Sequence, residues 1–294
     1  MPHQFRHEDF FDDARMPVVV HRRVSQRPSR LHSHAFSELV IVLSGQGVHF
    51  TVDDEHDVMA GDVFVIQGSG EHGYRNPRQL ELVNIMFKPG QLDLPLHDLR
   101  SLPGYHALFT LEPRFRKQHR FSSRLHLDSH QLSYLAPMID ALERECTERP
   151  PGFLAMSVVS FMQIVGYLSR CYGQVQTAAS RPLLRIGEAL GHLEDHYAEP
   201  IDIARLARIA HMSESSLYRA FKRGVGHTPI HHLIRLRIRK ACPLLRRSDR
   251  SMSAVAVGVG FSDSNYFSRQ FRNIMGISPR EYRRRSILPP APSV

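Results

Sequence analysis

The chain has 294 residues, of which 42% are hydrophobic, enough for two domains that each bury a core. No segment approaches the roughly 20 consecutive apolar residues that a membrane span needs, and the N-terminus lacks the apolar stretch of a secretory signal. The three cysteines are far apart in the sequence. These features favour a cytoplasmic protein over a membrane or secreted one. Residues 181–294 carry 20 Lys and Arg against 9 Asp and Glu, a net charge of +11. Because the whole chain has a net charge of +9, the first 180 residues have a net charge of −2. This asymmetry indicates a C-terminal part that binds nucleic acid or, alternatively, an anionic membrane surface.

The N-terminal part, residues 17–90, has the pattern of short β-strands. The segment "ELVIVLSGQGVHFTV" contains two β-rich runs around Ser44–Gly47, which predicts a hairpin turn there. The segments "AGDVFVI" and "LELVNIMF" predict further strands. Several short strands separated by glycine turns predict a small β-barrel or sandwich.

Helical spacing begins near residue 128. A first helix is indicated by Leu132, Leu135, Ile139 and Leu142, and a second by Leu154, Val158, Phe161, Val165 and Leu168. Residues 154–171 are our candidate dimer contact, with packing of the same stripe against the barrel as the alternative. The small, polar segment 173–182 is predicted to be a linker.

The C-terminal part contains an internal repeat. The segment "SESSLYRAFKRGVGHTP" from Ser213 aligns with "DSNYFSRQFRNIMGISP" from Asp263 at an offset of 50 residues. Upstream the offset is 49, which one extra residue in the second turn explains. The repeat predicts two copies of one structural unit. The matched positions pair Leu217 with Phe267, Arg219 with Arg269, Phe221 with Phe271, Gly226 with Gly276, and Pro229 with Pro279.

Each copy has the anatomy of a helix-turn-helix. In the first copy an apolar stripe is followed by the turn "HMS". Ser213, the last residue of this turn, is a good N-cap for a helix that buries Leu217 and Phe221. In the second copy Asp263 is the N-cap, and the buried positions are Phe267 and Phe271. The stripe of the first copy consists of Ile203, Leu206, Ala207 and Ala210.

The opposite face of each second helix is polar and basic, as expected for a helix that enters a major groove about 12 Å wide. Arg219 and Arg269 suit guanine and Asn265 suits adenine, whereas Lys222 and Arg272 are placed to reach phosphates. A purely structural helix-turn-helix with solvated arginines is the alternative. The predicted DNA contacts are Ser215, Tyr218, Arg219, Lys222, Ser264, Asn265, Ser268, Arg269 and Arg272.

Between the two copies, "HHLIRLRIRKACPLLRRSDR" predicts one long basic helix. About 20 residues of helix span about 30 Å, close to the ~34 Å between successive major grooves on one DNA face. We therefore expect one chain to read two adjacent grooves. Pro243 lies inside this helix, where a proline costs about 3 kcal/mol or forces a kink.

These segments resemble the AraC/XylS family of bacterial transcription regulators. The resemblance is carried by "LARIAHMSESSLYRAFKRGVGHTP", "RLRIRKACPLL" and "AVGVGFSDSNYFSRQFRNIMGISPREYR", over about 100 residues. The segments "FSELVIVLSGQGVHF" and "SNYFS" are similar to the L-rhamnose operon regulators of that family. The resemblance implies a cupin-type sensor barrel, a helical dimerisation element, and a two-unit DNA-binding domain that contacts the promoter and RNA polymerase.

Four residues of the N-terminal part have the spacing of metal ligands: His32, His34 and Glu38 in "HSHAFSE", and His72 further on. With Gly45, Gly61 and Asn76 they also resemble the two cupin motifs. On a continuous strand residues 32, 34 and 38 share one face, which would line the cavity of a barrel.

Three interpretations of this cluster stay open. The residues could bind the hydroxyl groups of a small molecule without a metal, could have a structural role, or could hold Fe(II), Mn(II) or a similar ion. Attached to a promoter-reading domain, the pocket needs only to bind, so we favour sensing without a cofactor and without catalysis.

Together these observations predict an α+β protein and a cytoplasmic, homodimeric, ligand-responsive transcription factor, with activation favoured and a sugar as the inducer that the resemblance implies. Residues 15–172 would form the sensing and dimerisation domain, 173–182 the linker, and 183–285 a DNA-binding domain for tandem half-sites. The alternative is a cupin-type metal-dependent isomerase or dioxygenase with an appended DNA-binding domain.

Overall fold

The computed structural model describes residues 3–13, 15–68, 70–89, 97–116, 125–175 and 177–287. The chain divides into two compact units, Met1–Gly187 and Glu188–Val294. All the described strands belong to the first unit and the second is helical, so the predicted α+β class is confirmed. The segment predicted to be a linker, 173–182, contains the end of one helix at Gly173 and the start of the next at Ser180.

The strands of the first unit form one mixed sheet. Its order is β1-β3-β7-β4-β6-β8, with β2 also paired to β7 and β5 to β4. The pairing of β1 with β3 is parallel, and the other pairings are antiparallel. Within the described residues no pairing joins β1 to β8, so this sheet is open and the word barrel overstated its closure. The strands are β1 (His3–Phe5), β2 (Val18–Arg23), β3 (His32–His34), β4 (Ser37–Thr51), β5 (Glu55–Met59), β6 (Asp62–Gln67), β7 (His72–Phe87) and β8 (Leu125–His126).

The predicted hairpin turn at Ser44–Gly47 was wrong. These residues lie inside the single strand β4, which pairs with β7 from Ser37 to Thr51. At its other edge, β4 pairs first with β6, from Ser37 to Ile41, and then with β5, from Gln46 to Phe50. The register shifts in this stretch, where Gly45 has a φ of 72°. A Cβ on Gly45 would lie 2.1 Å from the carbonyl oxygen of Gln79. The glycine therefore serves a bulge that bends a continuous strand, not a turn that ends it.

The central strands are buried on both faces. Leu39, Val40, Ile41 and Val42 are successive residues of β4, and all have 0% exposure. Because neighbouring side chains of a strand point to opposite faces, both faces of β4 are covered by other parts of the unit. One of these faces contributes to a core with Val58, Ile66, Tyr74, Phe64, Leu80 and Leu82.

Two long helices, α4 and α5, pack against each other and against β2. Asp128 and Gln131 form a capping box at the start of α4. Of the predicted apolar stripe of α5, Phe161, Val165 and Leu168 are buried, whereas Leu154 and Val158 are half-buried. The ring of Phe161 lies 5.1 Å from that of Phe87, so packing within the unit accounts for the buried part of the stripe. By length and composition alone α5 could also span a membrane. The helices of this unit are α1 (His97–Ser101), α2 (Pro103–Tyr105), a π-helical segment (His106–Leu111), α3 (Glu112–Arg116), α4 (Ser129–Glu148) and α5 (Phe153–Gly173), with α6 (Ser180–Asp195) crossing into the second unit.

The second unit contains the predicted duplicated helix-turn-helix. In each copy the matching residues have 3% exposure or less: Leu206, Ala207, Leu217 and Phe221 in one, and Val255, Ala256, Phe267 and Phe271 in the other. The long helix between the copies continues through Pro243. The helices are α7 (Ile203–Ile209), α8 (Glu214–Gly224), α9 (Pro229–Arg247), α10 (Met252–Gly258), α11 (Ser264–Met275) and α12 (Pro279–Ile287).

A buried ion pair joins the end of α6 to α9. Glu194 and Lys240 are 5% and 8% exposed, and the Glu194 carboxylate lies 3.2 Å from the Lys240 Nζ. The guanidinium of Arg239 donates to the same carboxylate. Removing one member of a buried ion pair leaves the other charge without compensation in a poor solvent for it.

We expect Glu194→Gln to destabilise the second unit by about 3 kcal/mol, because the amide keeps the shape of the carboxylate but not its charge. Urea denaturation of the full-length chain, followed by circular dichroism at 222 nm, measures the effect. Asp195→Asn, at an exposed position of the same helix, is the matched control. Equal unfolding midpoints for the two variants would contradict a stabilising role for the pair.

Candidate functional site

The four predicted pocket residues line one cavity of about 660 Å³ in the first unit. This volume is within the range of small-molecule sites. His34, Glu38 and His72 are buried, and His32 is half-buried. The structure therefore brings together all four residues that the sequence singled out.

The strand that was expected to carry these residues is broken. His32 and His34 belong to β3, which ends at His34, and Glu38 belongs to β4, which begins at Ser37. The break is supported by His34, whose Nδ1 lies 2.7 Å from the carbonyl oxygen of Phe36 and whose ring stacks on that of Phe36 at 4.3 Å. The cluster forms because β3 also pairs with β7, with His32 opposite His72.

Glu38 is the centre of the cluster. Its Oε2 lies 3.0 Å from the Nε2 of His34 and 3.5 Å from the Nε2 of His72. Burial disfavours the ionised carboxylate, but the hydrogen bonds from His34 and His72 outweigh burial and lower the pKa of Glu38 below its ordinary value. Glu38 is thus an ionised, buried carboxylate whose charge is compensated by imidazole donors.

His32 is placed differently from the other two histidines. Its Nδ1 lies 3.0 Å from the carbonyl oxygen of Arg30, and its ring lies 4.3 Å from that of His72. Burial, followed by the neighbouring His72, lowers the pKa of His32, which favours the neutral ring. In the neutral ring Nδ1–H donates to the carbonyl oxygen of Arg30, which leaves Nε2 as an acceptor that suits the O–H donor of a ligand hydroxyl group.

The cluster also fits a divalent ion. One ligand atom each from His34, Glu38 and His72 lies within 4.8 Å of the other two. Nitrogen and oxygen atoms that bind an ion at about 2.1 Å lie about 3 Å apart when adjacent, close to the separations seen around Glu38. Such an ion would supply a Lewis acid for a ligand oxygen. The same three side chains also satisfy one another by hydrogen bonding without an ion.

Part of the cavity wall was not predicted from the sequence. Arg23, Arg27 and Arg30 line the cavity and come from β2 and the loop that follows it. Asn84 and Tyr74 of β7 line it as well. The signal was present in "RVSQRPSR", a basic stretch that ends two residues before His32 but lies outside the cupin motifs.

In the second unit the predicted recognition faces lie at the surface. On α8, Ser215, Arg219 and Lys222 are exposed and Tyr218 is half-buried. On α11 the exposed residues are Asn265, Arg269 and Arg272, and the half-buried ones are Ser264 and Ser268.

The two recognition helices begin and hold their arginines in similar ways. The side chains of Ser213 and Asp263 accept hydrogen bonds from the backbone amides at the starts of α8 and α11. Arg219 Nη2 donates to Ser216 Oγ at 3.1 Å, and the guanidinium of Arg269 lies 5.4 Å from the ring centroid of Tyr266. Both guanidiniums are supported by their own helix and remain accessible.

Comparison with known proteins agrees with both units. Residues 19–86 match the family described as Cupin domain, and residues 206–285 match the family described as Helix-turn-helix domain. "HTH-type transcriptional activator RhaS" of Escherichia fergusonii is 33% identical over 94% of this chain and 95% of its own length. "HTH-type transcriptional activator RhaR" of Mannheimia succiniciproducens is 29% identical over 97% of this chain and 98% of its own. An AraC-type regulator structure from Chromobacterium violaceum is 31% identical and covers 39% of this chain and 100% of its own, with a TM-score of 0.35.

A cupin domain followed by a helix-turn-helix domain, in a chain whose near-full-length relatives are named transcriptional activators, defines a DNA-binding transcriptional regulator with a sensing domain. This organisation supports the regulator over the metal-dependent enzyme. The chain belongs to the AraC/XylS family of transcriptional regulators, as its resemblance predicted.

We expect Glu38→Gln to destabilise the first unit at pH 7 by about 1–3 kcal/mol, because the amide cannot replace the charge that His34 and His72 compensate. A lowered pKa in the folded state stabilises the protein above the ordinary value of 4.5, and this contribution is lost as the pH falls below it. The difference between wild type and variant should therefore narrow between pH 5 and pH 3.

Urea denaturation at several pH values measures this difference. Glu55→Gln is the matched control, since Glu55 is exposed and pairs only at the surface with Arg75, at 3.0 Å. A difference for Glu38→Gln that stays constant from pH 7 to pH 3 would contradict the compensation of this carboxylate.

Proposed function

We propose that this chain is a transcriptional activator that responds to a small molecule, for which a sugar is our first candidate, bound in the cavity around Glu38. The observation that carries the proposal is the pairing of two units with different chemistry. One has a cavity lined by hydrogen-bonding side chains, and the other has two matched helices with exposed basic faces.

DNA reading is assigned to α8 and α11, which would enter successive major grooves of one duplex. The helix between the two copies, α9, has 19 residues and is therefore about 28 Å long, comparable with the ~34 Å between grooves on one face of DNA. Residues 183–285 would form this DNA-binding domain. Paired chains would then occupy tandem half-sites.

The individual contacts follow from side-chain chemistry. Arg219 and Arg269 would donate two hydrogen bonds each to guanine, and Asn265 would pair with adenine. Lys222 and Arg272, one turn further along, would hold phosphates. The remaining members of the two faces, with shorter contacts to bases or backbone, are Ser215, Tyr218, Ser264 and Ser268.

Sensing is assigned to residues 15–172, with 173–182 as the connection. The side chains of His32, His34, Glu38 and His72 would bind ligand hydroxyl groups, and the ligand would change the dimer geometry or the contact with the DNA-binding domain. Exposed Met156 and Val159 on α5 support a homodimer. Contact with RNA polymerase and a cytoplasmic location follow from the family.

We expect Arg219→Ala and Arg269→Ala each to weaken binding to the specific operator by about 1–3 kcal/mol and to relax the preference at one base pair. Lys222→Ala is the matched contrast, because loss of a phosphate contact weakens binding to all sequences alike. Fluorescence anisotropy at fixed salt, with a selected operator and a scrambled duplex, measures both effects. A wild-type ratio of specific to scrambled affinity in an arginine variant would refute base reading by that arginine.

We expect His34→Ala and Glu38→Ala to abolish the response of a reporter gene to the inducer while DNA binding without inducer is retained. His130→Ala, at an exposed position outside the cavity, should respond as wild type does. Metal analysis after dialysis adds a second readout. A metal-dependent turnover that both cavity variants lose, with about one ion per wild-type chain, would overturn the sensing proposal.

A further inference from the structure

One wall of the cavity carries positive charge. Arg23 ends β2, and Arg27 and Arg30 lie in the loop between β2 and β3. All three line the cavity and are exposed. Among the described residues that line the cavity, the other formally charged side chain is Glu38, so the wall has three guanidiniums against one carboxylate.

The single carboxylate does not neutralise the arginines. The Oε2 of Glu38 lies 3.0 Å from the Nε2 of His34 and 3.5 Å from the Nε2 of His72, so these two imidazoles already compensate the negative charge of the carboxylate. Nothing in the contacts of Glu38 reaches Arg23, Arg27 or Arg30. The three arginines therefore place positive charge at the wall of the cavity that the contacts of Glu38 leave uncompensated.

Arg22, the neighbour of Arg23 in β2, differs from the cavity arginines in its carboxylate contacts. Consecutive side chains of a strand point to opposite faces, so Arg22 points away from the face that carries His21 and Arg23. On its own face Arg22 contacts three carboxylates, those of Glu81, Asp140 and Glu143. The cavity arginines have no such carboxylate among the described ion pairs.

The loop that carries two of the arginines is anchored to the sheet. The backbone amide of Gln26 donates to the carbonyl oxygen of Leu80 at 2.8 Å, and that of Ser29 donates to the carbonyl oxygen of Tyr74 at 2.9 Å. The amide of Tyr74 in turn donates to Ser29 Oγ at 3.0 Å. These bonds hold the backbone of the loop that carries Arg27 and Arg30 before a ligand arrives, which lowers the part of the entropic cost of binding that comes from ordering the loop.

We infer that the ligand of this cavity is a hydroxylated small molecule that carries an oxyanion, either a carboxylate or a phosphate group. The inference rests on the proposed sensing function and narrows its ligand class. Guanidinium groups bind both kinds of oxyanion through paired hydrogen bonds. The Glu38 cluster, with imidazole and carboxylate groups, would bind the hydroxyl end of the same molecule.

Matched pairs of probes test the inference on the full-length protein. The neutral and anionic members are D-glucose with D-glucuronate, D-galactose with D-galacturonate, and D-glucose with D-glucose 6-phosphate. Differential scanning fluorimetry at equal ionic strength and calorimetric titration give the Tm shift and the Kd. We expect the anionic member of at least one pair to bind about tenfold more tightly than its neutral partner. The sugar acids and the phosphate distinguish the two sources of the oxyanion.

The arginines are tested singly with Arg23→Gln, Arg27→Gln and Arg30→Gln. At least one variant should weaken binding of the anionic probe about tenfold while the Kd of a neutral sugar stays unchanged. Arg144→Gln, at an exposed position of α4 outside the cavity, is the matched control and should bind as wild type does. Circular dichroism confirms that each variant is folded.

Two outcomes overturn the inference. Neutral sugars that bind as tightly as their anionic partners, or three glutamine variants that bind the anion as Arg144→Gln does, would leave sugar sensing intact and remove the oxyanion. Failure of every anionic probe to raise the Tm also overturns it. The proposed function is judged separately, by whether His34→Ala and Glu38→Ala lose the reporter response.

Discussion

The DNA-binding unit depends on one constraint, the burial of an aromatic ring in the second helix of each repeat. Phe221 and Phe271 have 0% exposure. A helix turns through about 100° per residue, so the residue two positions before each ring is on the opposite side. That residue is Arg219 in one copy and Arg269 in the other. The hydrophobic core thus determines which side chains face outward, and the buried phenylalanine and the outward arginine recur fifty positions apart.

The sensor unit uses the same residue type, arginine, in two electrostatic settings. Arg22 contacts three carboxylates and joins β2 to α4, which gives it a structural role. Arg23, one residue later and on the other face, lines the cavity. Because neighbouring side chains of a strand point to opposite faces, Arg22 makes a structural contact whereas the adjacent Arg23 lines the cavity. Sequence composition cannot separate these roles, because they differ only in what lies opposite.

Patterns within short stretches of sequence predicted the helix-turn-helix units and the four cavity residues. The helix-turn-helix units followed from apolar spacing and caps, since Ser213 and Asp263 stand where the helices begin. The four cavity residues followed from the spacing of the cupin motifs. Partner exchange by β4 was not predictable in this way. The glycines of Ser44–Gly47 favour a turn and a bulge equally, and the close approach of Gln79 that decides between them comes from β7, which is distant in the sequence.

The same limit explains the other differences. The break between β3 and β4 depends on His34, whose ring stacks on Phe36. Phe161 on α5 packs against Phe87 at the end of β7. Both are tertiary contacts between residues of ordinary type. The arginine wall was missed for a different reason: loop residues have no periodicity, so only the fold shows that Arg27 and Arg30 reach the cavity of His32.

A regulator must remain folded without its ligand, and the Glu38 cluster meets this requirement. The buried carboxylate is compensated by His34 and His72 and needs no ligand to be stable. A ligand that only replaced these contacts would exchange one set of hydrogen bonds for another and would shift the conformational equilibrium little. The arginine wall differs, because its charges find no carboxylate in the described ion pairs. If the proposed ligand binds here, the differential affinity that drives a response would have its strongest source in this wall, and the histidine cluster would fix the orientation of the bound ligand.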